Sequence, residues 1–161
     1  MKRLLKFLHE IGTVGLMGAI AAQIILSIAA LDLPDAEYAT YREAIHVVSK
    51  FLLLPSLGLV LFTGLLAIAV HPPYHNAGWA WIKALLTVAV LEGTLGGIQG
   101  PAREAATLAR RIAEGDESAR AAIGHVLRHE SGALWMIMFL SVVNIALAVW
   151  RPKLRRRKEP V

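Results

Sequence analysis

Residues 51–70 read FLLLPSLGLVLFTGLLAIAV, twenty positions without one charged side chain. A helix rising about 1.5 Å per residue crosses the ~30 Å hydrocarbon layer of a bilayer in about 20 residues. Strand-length runs are broken up every few positions, and this one is not. Three further runs have the same form. Residues 11–31 and 131–150 carry no charge, and residues 79–99 carry two, Lys83 and Glu92. The expected fold is therefore all-α, an integral membrane four-helix bundle in a single membrane domain over residues 1–161. Its spans lie at about 11–31, 51–70, 79–99 and 131–150, followed by a basic tail at 151–161.

Composition agrees. Of the 161 residues 56% are apolar and 18% charged, against roughly 45–50% and about 25% in soluble domains. Disorder is excluded, because disordered chains are poor in apolar residues. There is no cysteine, so disulfides, zinc–thiolate sites, iron–sulfur clusters and cysteine nucleophiles are excluded. No nucleophile–base pair and no phosphate-binding glycine loop stands out, and catalytic residues stay unassigned.

Net charge is +5. Six basic residues crowd the tail: Arg151, Lys153, Arg155, Arg156, Arg157 and Lys158. Beside an apolar run, such a cluster reads as a cytoplasmic flank against anionic lipid, not as a nucleic-acid site. With Lys2, Arg3 and Lys6 it puts nine basic residues on the side of the termini. The connections on the other side hold six: Arg42, Arg103, Arg110, Arg111, Arg120 and Arg128. Lys and Arg concentrate on the cytoplasmic side, so both termini are expected there, in a multi-pass protein of the bacterial inner membrane. Met1-Lys2-Arg3 and Ser27-Ile28-Ala29 imitate a secretory signal, but signal cores span about 7–15 residues, and the first run is longer.

The acidic connection at 32–45 suits the outer face. The connection at 100–130 opens on Gly100-Pro101, a helix stop followed by a start. Gly115-Asp116 divides the rest, so two short helices are expected over the outer end of the bundle, the second running into the fourth span. Within the spans, Pro55 predicts a kink. Gly15 with Ala19, Gly18 with Ala22, Gly58, Gly64, Gly93, Gly96 and Gly97 mark close helix packing. Gln23 and Asn144 are expected to hydrogen-bond between helices.

Six histidines fall in two layers. The outer layer holds His46, His125 and His129, and the inner layer His9, His71 and His75. His46 and His129 each begin a span entered from outside, so their depths match. Two histidines on different helices can sandwich a haem iron, and Gly93, Gly96 and Gly97 leave room for a porphyrin. His46, His125 and His129, with Glu92, are the candidate ligands of a non-haem metal. Glu92, the acid deep inside a span, is expected to face the interior and meet a polar group. In the inner layer, His9 and Lys83 form a second candidate pair facing the bundle.

Three motifs carry a family resemblance: Leu5-Lys6-Phe7-Leu8-His9, Trp79-Ala80-Trp81-Ile82-Lys83, and Leu127-Arg128-His129-Glu130 before a span ending Trp150-Arg151-Pro152. The chain resembles a group of small bacterial four-helix membrane proteins. That group includes an uncharacterised predicted membrane family and, more distantly, the haem-binding membrane protoporphyrinogen oxidases and the copper-resistance membrane domain. The resemblance to the oxidases implies that their functional first-span histidine and third-span lysine fall on His9 and Lys83.

The expected function is binding of haem b or a metal between the helices, for redox or electron-transfer work. Its partners would be the lipid bilayer and a membrane redox protein or second copy, with no nucleic acid. The alternatives are a cofactor-free accessory subunit and a copper- or ion-handling protein. Soft copper sites favour Cys and Met, and Met17, Met136 and Met138 do not cluster with the histidines.

Overall fold

The computed structural model describes residues 2–70 and 78–150. Helix α1 runs Lys2–Ala29, and α2 covers Asp35–Val48. A π-helical turn at Ser49–Leu53 carries α2 directly into α3, Leu54–Val70. Helix α4, Gly78–Thr94, passes through a second π turn, Leu95–Gln99, into α5, Gly100–Ala113. Helix α6 spans Glu117–Trp150. Four continuous helical rods result: Lys2–Ala29, Asp35–Val70, Gly78–Ala113 and Glu117–Trp150. Each contains a stretch long and apolar enough to cross a membrane.

The rods are up-and-down neighbours. His9 of α1 meets Thr63 of α3, and a Cβ on Gly12 would land 2.9 Å from Val60. Rising numbers on one rod face falling numbers on the other, so the pair is antiparallel. Asn144 of α6 bonds Thr87 of α4, and a Cβ on Gly97 would sit 2.7 Å from that of Ala133. That pair is antiparallel too. Gly12, Gly15 and Gly97 are where the helices come too close for an added side chain, as small-residue packing requires, whereas Gly18, Gly58 and Gly96, expected at such contacts, meet no neighbour. Between the rods, Leu16, Ile20, Leu53, Leu57, Ile98, Leu134 and Ile137 close an apolar core.

Length explains the upper part. At about 1.5 Å per residue, a 36-residue rod reaches about 54 Å. Three rods therefore extend past the apolar shaft and pack into a helical head. A second core, formed by Ala39, Ala105, Leu108, Ala109, Ile112, Ala119, Ile123 and Val126, holds it together. The connection expected at 32–45 is thus mostly helix, continuous with the shaft, and the two helices expected within 100–130 are present, divided at Gly115-Asp116, the second running into the fourth span. The stop expected at Gly100-Pro101 is not one.

The π turns explain why the helices pass their prolines. A proline ring collides with the carbonyl four residues earlier in an α-helix. For Pro55 and Pro101 those carbonyls belong to Phe51 and Gly97, the middle residues of the two π turns. The wider i→i+5 turn accommodates the ring without breaking the rod. Gly115, at φ +89°, is the one described glycine in the left-handed region. It ends α5 as αL caps do, and Asp116 then accepts from the Ser118 amide at 2.9 Å to start α6.

Candidate functional site

The shaft is hollow at its terminal end. A cavity of about 390 Å³ lies between α1, α3 and α4, touching Ala148 of α6. Its walls are mainly Leu, Ile, Val and Ala, and its polar members are Lys6, His9, Thr63, Lys83 and Thr87, beside Trp79. Small-molecule sites are of this kind: about 300–1,000 Å³, apolar, with a few placed polar groups.

His9 is the best-defined of these groups. Its Nδ1 lies 2.9 Å from Thr63 Oγ1. The Thr63 hydroxyl has one hydrogen and gives it to the Leu59 carbonyl, at 2.6 Å. With its hydrogen so placed it accepts from the ring, in the tautomer of His9 whose Nδ1–H donates to Thr63 Oγ1. In the neutral imidazole, Nε2 then carries the lone pair. Metal-ligating histidines show this arrangement, one nitrogen anchored by a hydrogen bond and the other available. On the facing wall, Asn144 Nδ2 donates to Thr87 Oγ1 at 3.0 Å, and Thr87 donates to the Lys83 carbonyl at 2.8 Å. The helix carrying Lys83 is thereby tied to α6. The interhelical bond expected of Asn144 is made. Gln23 Nε2 instead donates within its own helix, to the Ala19 carbonyl at 3.3 Å.

The outer candidates differ in their surroundings. His129 is exposed and lines an open groove with Glu92, Gly93, Gly96, Gly97 and Arg128. The three glycines do make room beside His129, but His46 is not among the residues of that groove. It is half-buried on α2, one turn from Arg42, with a buried Nδ1 that bonds no described residue. His125 is exposed. Glu92 does not face the interior: it is exposed on the groove wall, without a hydrogen bond or ion pair among the described residues. Among the described residues no three His, Cys, Asp or Glu side chains gather as a metal would need. His71 and His75 lie outside the described residues.

A feature that sequence reasoning missed sits where shaft meets head. Arg42 of α2 and Glu130 of α6 are both only 2% exposed and form an ion pair. Gln23 and Ser49 are completely buried, as is Thr94. One side-chain atom of each of these five residues bonds nothing among the described residues: Gln23 Oε1, Arg42 Nε, Ser49 Oγ, Thr94 Oγ1 and Glu130 Oε1.

Fold and site together define an all-helical chain of four long apolar rods, with a ligand-sized cavity at one end and a buried polar zone below its head. Comparison with protein-family models, with curated proteins and with solved structures finds no match. The family resemblance accordingly rests on the short motifs quoted above.

Proposed function

We propose that the chain is a multi-pass protein of the bacterial inner membrane with both termini in the cytoplasm, and that it holds haem b in the cavity beside His9 for redox or electron-transfer work. Membrane residence is supported by the outward face of the shaft. Phe51, Phe62, Leu85, Trp135, Phe139 and Val149 are all exposed there. Soluble monomers rarely expose a contiguous apolar surface of that extent. Orientation is supported by the basic residues at the termini.

The observation that carries the haem reading is the bond from His9 Nδ1 to Thr63 at the wall of an apolar cavity. Haem b asks for an axial nitrogen, apolar walls for the macrocycle, and cations for its propionates. His9 Nε2 meets the first need, the α1, α3 and α4 side chains the second, and Lys6 and Lys83 the third. When bound, haem supplies one-electron chemistry, with its potential set by axial ligand and burial. The chain's part is to orient the imidazole through Thr63, neutralise carboxylates and exclude water.

The test is a visible spectrum with metal analysis of the purified protein. A Soret band is expected, lost in His9→Ala and kept in His46→Ala and His129→Ala. Loss in the latter two variants instead would move the site to the outer layer. A colourless, metal-free protein would leave the accessory-subunit reading.

A further inference from the structure

The polar zone below the head has no part in that function, and its composition is unusual for the middle of an apolar bundle. Arg42, His46 and Ser49 follow at i, i+4 and i+7, which puts them on one face of α2 and its π turn. Continuing the antiparallel register of His9–Thr63 along α1 brings Gln23 and Ser27 to the same level. Glu130 enters from α6 through its pair with Arg42, and Thr94, completely buried, precedes the π turn of α4 that touches the one begun by Ser49. The result is a polar column about two helical turns long, roughly 10 Å, lined from all four rods. Its unpartnered atoms include those five, together with Ser27 Oγ and His46 Nδ1.

We propose that this column is a binding site for a cluster of water molecules. Folded proteins leave few buried polar atoms unpaired, since each one forfeits its hydration. Seven in one zone point to a ligand. The mix of donors and acceptors identifies the occupant. It must accept from Arg42 Nε–H and donate to Glu130 Oε1 and Gln23 Oε1. It must also exchange hydrogen bonds with three hydroxyls. Water has that capacity and size, and buried waters make two to four such bonds. One π turn begins at Ser49 and the other directly follows Thr94. The two turns touch, which brings the Ser49 and Thr94 positions to one level of the bundle.

The experiment is thermal unfolding of the detergent-solubilised full chain carrying Thr94→Val, a swap of nearly identical shape. In a hydrated column the valine takes a hydrogen-bond partner away from bound water, and the midpoint should fall by about 2–4 °C. Ser49→Ala should lower it as well. In a dry column Thr94→Val removes a buried hydroxyl that bonds nothing, so a midpoint that rises or holds overturns the proposal. A second measurement is independent of stability. In a density map of the wild-type protein that resolves water elsewhere, ordered waters are expected within hydrogen-bond reach of Thr94 and Ser49. Their absence from such a map overturns it equally.

Discussion

At the scale of single residues, the Arg42–Glu130 pair decides most. Both side chains are 2% exposed, so neither charge has bulk water to fall back on. Removing one partner of a buried ion pair strands the other charge, at about 3–5 kcal/mol, whereas replacing both by apolar groups is often neutral. Arg42→Ala and Glu130→Ala should each lower the stability of the solubilised protein by about that much. The double variant Arg42→Ala with Glu130→Ala should cost less than the two single changes summed. Denaturant unfolding with a double-mutant cycle measures this, and additive single effects would show that the pair does not couple. The pair was not legible in the sequence. The partners are 88 positions apart, and each borders an apolar run, where a charge reads as a solvated flank. The neighbouring buried positions Ala39 and Ile45 put Arg42 on an inward stripe, but only once 35–48 is recognised as helix.

At the scale of elements, the α5–α6 junction is held by local chemistry that a change of pH can undo. Asp116 accepts from the Ser118 amide and hydroxyl and, through its other oxygen, from Arg111 at 2.6 and 2.9 Å. These bonds, with Ser118 first and Arg111 second, hold its carboxyl at about 2, below the usual carboxylate range. A depressed carboxyl stabilises the fold fully above its unfolded value, near pH 4, and loses that contribution as pH falls through about 2. Amide protection in the first turn of α6, taken relative to the intrinsic exchange rate at each pH, should therefore fall between pH 4 and 2 in the wild type. In Asp116→Asn, which keeps a capping oxygen but no titratable group, that fall should disappear. The Arg120–Asp35 and Arg110–Glu43 pairs are exposed and contribute little. Gly115-Asp116 was readable as a break because glycine and a capping acid have strong local preferences. The unbroken passage through Pro101 was not, since a proline reads as a helix end unless a π turn relieves it.

For the whole molecule, hydropathy located the shaft, and Gly100-Pro101 with Gly115-Asp116 located the two outer helices within 100–130, but the helix at 35–48 was hidden. That charge-rich stretch looks like a connection when judged by apolar content. It is helix because Ala39 packs into one core with Ala105, Ala109 and Ile112. The same limit governed the candidate site. Sequence position gives depth along a helix but not the direction a side chain faces across the bundle, so it did not tell that His129 is exposed on an open groove while His46 is half-buried on α2. His9 and Lys83 line one cavity because α1, α3 and α4 meet there.

The division into shaft and head leads to a last prediction, made practical by the absence of native cysteine. Thr107, on the head, is exposed, as are Phe139 on the shaft and Arg3 near the amino terminus. Single cysteines at these three positions report three environments on one molecule. With the proposed orientation, a membrane-impermeant thiol reagent added to intact spheroplasts should modify Thr107→Cys at once. Arg3→Cys should react only after the membrane is opened. Phe139→Cys should resist the reagent in both conditions and react only in detergent, because thiol labelling needs water to form the thiolate. Reversal of the Arg3 and Thr107 results would invert the orientation while keeping the fold. Rapid labelling of Phe139→Cys in sealed spheroplasts would instead place the exposed apolar face in water and remove the membrane reading altogether.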